Sequence, residues 1–228
     1  MNDTADPALT TERHGRVLVA TMDDGRANAL SLELSTALRN LITEAENDDE
    51  VGAVVIAGRP GRFSGGFDLG VIQSGDGAAI AAMVGNGGAL VAQAYGASVP
   101  VVAACTGHAV AAGALLLLGC DHRVGPDADI KIGLNEVAIG LTLPDWALAI
   151  AMERLSRRYL QASVANARLF DGAGAVDAGF LDVAVAPDAV VDTAIEHAAG
   201  LAELDAASYA KTVAALRNPT LARMAETV

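Results

Sequence analysis

The sequence predicts an α/β fold, on two observations. Short apolar, β-branched runs alternate with stretches of helical periodicity, and glycine turns stand where a run gives way to a helix. With 52% hydrophobic residues in 228, the chain can also bury one sizeable core.

Taken in order, Val17–Met22 and Val51–Ala57 read as strands. Between them Ser31 is placed to cap a helix reaching about Glu46, because Leu34, Leu38, Leu41, Ile42 and Ala45 recur at helical spacing. The acidic run at 46–50 ends that helix. A third strand, Val99–Cys105, leads through Gly107 into an Ala/Leu-rich helix at Ala112–Gly119, and Asp121–Val124 follows as a short strand. Helical patterns recur at Trp146–Leu155 and Arg157–Leu169, and Asp182–Val185 closes as a last strand. Terminal helices are expected at Pro187–Leu204 and Ser208–Leu216. No linker interrupts this pattern. The chain therefore reads as a polar, flexible N-terminal arm (1–14) and a single domain (15–228), with its C-terminal helices starting near 187.

Charge and composition exclude several functions. The formal charge of −13 repels phosphate backbones, so no nucleic-acid partner is expected. The apolar stretches near Val99–Cys105 and Ala109–Leu118 are too short and too broken by glycine to span a bilayer. The N-terminus carries no apolar signal core, so a cytoplasmic protein is expected. Cys105 and Cys120 lie in apolar surroundings and read as small buried hydrophobes. No Cys/His cluster has metal-binding spacing, and neither metal nor cofactor is expected.

Chemistry is concentrated at two glycine turns. In Gly61-Arg62-Phe63-Ser64-Gly65-Gly66-Phe67-Asp68, paired glycines permit backbone conformations that a Cβ forbids and leave N–H groups free to meet an anionic oxygen. Gly107-His108-Ala109-Val110-Ala111-Ala112-Gly113-Ala114 again joins a buried strand to an apolar helix, whose N-terminus adds a positive dipole end. Either turn alone is equally an ordinary loop or a tight packing contact. Other motifs fail: no Gly-Lys-Ser/Thr follows Gly58, Asn86-Gly87-Gly88 follows no strand, and Ser64 sits in no Gly-x-Ser-x-Gly elbow.

Together these segments resemble the enoyl-CoA hydratase/isomerase (crotonase) family. Arg26-Ala27-Asn28-Ala29-Leu30 is similar to its N-terminal CoA loop, and Phe63-Ser64-Gly65-Gly66-Phe67-Asp68-Leu69 to its first oxyanion loop. Pro100–Ala104, Gly107 and Ala111-Ala112-Gly113 are similar to the second, with Cys120-Asp121 closing the helix. The resemblance implies a crotonase-type fold of repeated β-β-α units, usually assembled as a homotrimer or hexamer. It implies an acyl-CoA thioester as substrate, its oxygen held by the N–H groups of Phe67 and Ala112 or, one residue on, Gly113. One such donor is worth about 3 kcal/mol when charge grows on that oxygen. Arg26, Ala27, Ala29, Ser64, Gly65, Gly66 and Asp68 belong to the implied substrate-binding loops. Arg26, Arg62 and Lys211 are candidates for the CoA phosphates, although solvated surface charge is the default reading of each.

The family's hydratases carry two glutamates. At the first position this sequence has Leu115, which can move no proton. At the second, Gly133-Leu134-Asn135-Glu136 is similar to mitochondrial-type delta-3, delta-2-enoyl-CoA isomerases, which pair a leucine with a lone glutamate. Glu136 is thus the implied proton carrier, with Asn135 placed to orient it or the substrate. Its neighbours Val137, Ala138 and Ile139 are expected to raise its pKa. Trp146 reads either as a wall of the acyl pocket or as core. Three alternatives stand beside the isomerase: a hydratase run by Glu136 alone, a serine hydrolase using Ser64, His108 and Asp121, and a non-catalytic acyl-CoA binder.

Overall fold

The computed structural model describes residues 8–226. The chain enters through an antiparallel hairpin of β1 (Leu9–His14) and β2 (Val17–Met22), turning at Gly15 with φ +61°. The two-residue strand β3 (Ala29–Leu30) and helix α1 (Leu32–Glu46) follow. Three units then repeat one pattern. The first is β4 (Ala53–Gly58), β5 (Gly61–Ser64), the two-residue β6 (Gly66–Phe67), α2 (Leu69–Ser74) and α3 (Gly77–Gly96). The second is β7 (Val101–Ala104), β8 (Gly107–Val110) and α4 (Ala112–Gly119). The third is β9 (His122–Pro126), β10 (Ile132–Gly133), a 3-10 turn at Val137–Ile139 and α5 (Asp145–Arg154). The chain closes with α6 (Leu160–Val164), α7 (Gly172–Ala178), β11 (Val183–Val185), α8 (Val190–Leu201) and α9 (Ala206–Ala225).

The strands sort into a six-stranded sheet in the order β1-β2-β4-β7-β9-β11, a three-stranded sheet β10-β8-β5, and the pair β3-β6. Apart from the β1–β2 hairpin, the large sheet is parallel. All six residues of β4 and all four of β7 are buried, as strands covered on both faces require. On one face lie Val190, Ala194 and Ala198 of α8; on the other lies the larger core, to which α1, α4 and α5 contribute. This is the α/β fold of β-β-α units that the sequence predicts.

Several elements match closely. Ser31 caps α1 by accepting the Leu34 N–H at 3.1 Å, and all five residues of the expected stripe are buried. The helix at Ala112–Gly119 has the expected bounds. Cys105 and Cys120 are free and buried, and burial pushes both thiols up to about 12.

Four expectations need correction. Residues 9–14, assigned to a flexible arm, form β1; residues 1–7 lie outside the described residues. The helix expected at 157–169 shrinks to Leu160–Val164. Ala167 turns to φ +50°, and the backbones of Ile132 and Phe170 exchange two hydrogen bonds of 2.9 Å that draw the chain out straight. The last helix does not stop near Leu216 but runs through Pro219 to Ala225, with Arg217, Thr220 and Met224 buried beneath it. The twenty-residue α3 has no counterpart in the expected elements. Its glycines weaken the helical propensity that its alanines supply, and packing against α1, α4 and α9 makes up the difference. By length and composition α3 could also cross a membrane, which no stretch of the sequence was expected to do; here it packs as a helix of the fold.

Candidate active site

The three strands of the small sheet are parallel neighbours, with β8 in the centre. Their carboxyl ends therefore open on one side. Phe67, Ala112 and Glu136 follow two or three residues past Ser64, Val110 and Gly133, the last residues of β5, β8 and β10. Loops leaving adjacent parallel strands are where α/β sheets place their ligands. A bulge between Arg62 and Ser64 shifts the β5–β8 register just before the first of these loops, a common device for re-aiming a chain beside a site.

The first loop is tied down by Asn28. Fully buried at φ +50°, its amide nitrogen donates to the carbonyls of Met22 at 2.8 Å and Phe63 at 3.2 Å. Its Oδ1 accepts the Asp24 N–H at 3.0 Å. The Asp24 carboxylate in turn accepts from the N–H groups of Arg26, Asn28 and Ala29. Burial pushes that carboxyl up, but these donors, with help from Arg59, hold it below the usual range. The Gly65 N–H reaches the Ala27 carbonyl at 2.7 Å, and Ala29 pairs with Gly66 across the β3–β6 ladder.

Gly66 brings the two glycine turns together. At φ +93° a side chain there would be strained, and its Cβ would lie 2.9 Å from the Ala111 Cβ and 3.4 Å from the Ala112 nitrogen. Only a glycine lets the peptide that ends in the Phe67 N–H approach the first turn of α4 so closely. Ala111 itself sits at φ +51°, ψ −126°, a strained setting for an alanine, anchored by its N–H on the Gly133 carbonyl at 3.0 Å. Gly113 packs differently: its Cβ would collide with the Ser64 carbonyl at 2.6 Å. Of the two residues expected to donate, Ala112 is therefore the one beside Gly66. A helix start beside a second backbone donor suits an oxygen that gains charge.

Glu136 is 9% exposed, and its Oε2 has no hydrogen-bond partner in the chain. Burial raises its pKa, opposed only by its own backbone N–H. The backbone is fixed meanwhile: the Glu136 carbonyl accepts the N–H groups of Ile139 and Leu141, and Gly140 closes the turn at φ +77°. The raised pKa is as expected but its cause is not. Val137 and Ile139, expected to bury the carboxylate, are 48% and 53% exposed. The Asn135 Oδ1 is likewise buried and unpartnered. Leu115 lies 1% exposed in the core cluster, so α4 brings no second carboxylate here.

Other expected residues have structural duties. The Ser64 hydroxyl donates to the Asn28 carbonyl at 2.7 Å and accepts the Gly66 N–H at 3.2 Å, so it braces the loop from a fully buried position. His108 Nδ1 accepts the Lys131 N–H, and Asp121 binds Tyr209 and Arg217, so the serine-hydrolase triad is not assembled. Asp68 caps α2 through the Gly70 N–H at 2.7 Å, leaving that carboxylate to the loop instead of a substrate. Arg26 and Lys211 are exposed, and the Arg26 carbonyl accepts from the Arg59 guanidinium. Asn28 and Gly66 emerge as the residues that hold the site together. Each lies within a motif of its own, but only their contacts reveal the role.

Known proteins resemble this chain in sequence and fold. The chain is 31% identical over 184 residues to the mitochondrial enoyl-CoA delta isomerase 1 of Mus musculus, covering 80% of this chain and 64% of that one. It is 33% identical over 169 residues to a probable enoyl-CoA hydratase of Mycobacterium avium, covering 73% and 65%. The chain thus spans slightly under two thirds of these curated relatives. Among solved structures, an apo enoyl-CoA isomerase from Mtb superposes with a TM-score of 0.91 at 39% identity, over 96% of this chain and 95% of that one. Residues 12–227 match the model of the enoyl-CoA hydratase/isomerase family, and with its crotonase fold this chain belongs to that family.

Proposed function

We propose that the chain is an enoyl-CoA isomerase that shifts the double bond of a 3-enoyl thioester to the 2-position. The single observation that carries this reading is the lone Glu136 carboxylate, buried just past β10 with its Oε2 unpartnered, and with Leu115 where a second acid would stand. Glu136 removes a proton from C2. The electron pair moves into a dienolate whose oxygen rests between the N–H groups of Phe67 and Ala112. The same carboxyl then returns the proton at C4, leaving the conjugated ester. A buried carboxylate with a raised pKa is the stronger base for this step. Asn135, with its own unpartnered oxygen, is placed to orient the carboxyl or the substrate. Assembly as a homotrimer or hexamer belongs to the same reading, and the exposed side chains of Leu69, Val137 and Ile139 suit a face covered by another copy.

The test is ultraviolet-monitored conversion of trans-3-hexenoyl-CoA by wild type and Glu136→Gln. Conversion by the wild type and a loss of about a hundredfold in the variant is expected, the scale of general acid–base catalysis. Hydration of crotonyl-CoA without isomerisation would move the assignment to the hydratase, and binding of thioesters without turnover would leave an acyl-CoA binder.

A further inference from the structure

We infer that the rings of Phe67 and Trp146 close the inner end of the acyl site, so that the protein accepts short acyl chains, hexanoyl or smaller. This rests on the acyl-CoA reading above. Phe67 contributes its N–H to the proposed cradle and sends its ring to α3: a Cβ at Gly87 would fall 2.4 Å from the Phe67 Cε1 and 2.7 Å from its Cζ. Trp146 opens the helix that follows the Glu136 loop, and its indole takes the next notch. A Cβ at Gly88 would lie 2.9 Å from the Trp146 Cε2 and 3.0 Å from its Nε1. Trp146 is 1% exposed, and Phe67 is partly buried against the core.

One ring thus starts at the proposed oxygen donor and the other at the head of the helix that follows the proposed proton carrier's loop, and both end on adjacent glycines of one helix. Each glycine inside a helix costs about 1 kcal/mol relative to alanine. At Gly87 and Gly88 that loss is offset by room for two aromatic rings that no side chain at those positions would leave. A substrate tail running from the cradle toward α3 meets the Phe67 ring within one side-chain length of the thioester, and the indole fills the next notch of the same helix. Extending the tail requires displacing one ring or the other, and the core around Trp146 gives it nowhere to go.

Calorimetric titration with the saturated thioesters butanoyl-, hexanoyl- and decanoyl-CoA tests this without relying on turnover. An open apolar pocket gains about fourfold in affinity per added methylene. The wild type is expected to bind hexanoyl-CoA more tightly than butanoyl-CoA and to lose at least tenfold at decanoyl-CoA. Trp146→Ala should recover at least tenfold for decanoyl-CoA, with Trp146→Phe, which keeps a ring in the notch, in between. A wild-type affinity that keeps climbing through decanoyl-CoA would overturn the inference while leaving the acyl-CoA site intact. So would a folded Trp146→Ala protein with an unchanged chain-length profile. Failure of the wild type to bind any of the three would overturn the acyl-CoA reading itself, and this inference with it.

Discussion

Two carboxylates with little solvent exposure are treated in opposite ways in this chain. Asp121, at the end of α4, has every oxygen occupied: Oδ1 accepts from Arg217 at 2.5 Å and the Tyr209 hydroxyl at 3.0 Å, and Oδ2 accepts the Val101 N–H at 2.7 Å. Arg217 also donates to the Tyr95 carbonyl at 2.6 Å and lies over the Tyr95 ring. Burial pulls the Arg217 guanidinium down, but the charge and hydrogen bond of Asp121, together with Tyr209 and Tyr95, hold it up. Glu136 has a fixed backbone and a carboxyl whose Oε2 is unpartnered, with only its own backbone N–H to oppose the effect of burial. A carboxylate whose partners are complete fastens the last helix to the core. One with a free oxygen fastens nothing, which is what the proposed reading asks of a proton carrier. The difference separates structure from chemistry without reference to either residue's type.

The comparison breaks first, and hardest, at Arg217. Removing it by Arg217→Ala leaves Asp121 charged and buried with only neutral donors, and should cost about 3–5 kcal/mol of stability, read as a lowered urea midpoint. If the loss is below about 1 kcal/mol, α9 is not fastened by this pair. Gly66→Ala tests the other region's backbone. Its Cβ would press on Ala111 at a positive φ, separating the two turns, and a loss of about a hundredfold in kcat/KM is expected, with about 1–2 kcal/mol of stability. Activity near the wild-type level would show that the cradle tolerates the displacement.

The smallest effect has the opposite sign. Because burial raises the Glu136 pKa, the folded state holds its proton at higher pH than the unfolded chain does. Its contribution to stability is therefore present below the ordinary carboxylate range and lost as pH rises through the raised value. Glu136→Gln should accordingly stabilise the protein by about 1 kcal/mol near pH 8, and the gap should vanish at acidic pH. Destabilisation across the whole range would mean that Glu136 is a structural group like Asp121.

What the sequence revealed of this depended on how local the cause is. The stripe Leu34, Leu38, Leu41, Ile42 and Ala45 and the Ser31 cap lie within one helix, and both were legible. So were the two turns and most strands of the large sheet, but not the small sheet β10-β8-β5 that carries the site, whose short strands were read as parts of the turns and loops. Helix α3 was not, because the rings that fit its Gly87 and Gly88 come from residues 67 and 146, distant in sequence. Ser64, Gly65, Gly66 and Asp68 were recognisable as a loop, but whether each side chain faces a ligand or its own backbone depends on contacts with residues 24–29 and 111–113. The surroundings of Glu136 misled for a related reason. Sequence neighbours such as Val137 and Ile139 turn outward, and the burial comes from elsewhere in the fold.

The three parallel strands whose ends carry the site divide its labour. The exits of β5 and β8 supply backbone N–H groups, which depend on main-chain course and small residues and are indifferent to most side-chain identity. The exit of β10 supplies a side chain, which a single codon can replace. Grip and reactivity are thus inherited on separate strands. Under the proposed mechanism, a lineage using this framework can change which proton moves by altering one short loop, while the hold on the carbonyl passes on undisturbed.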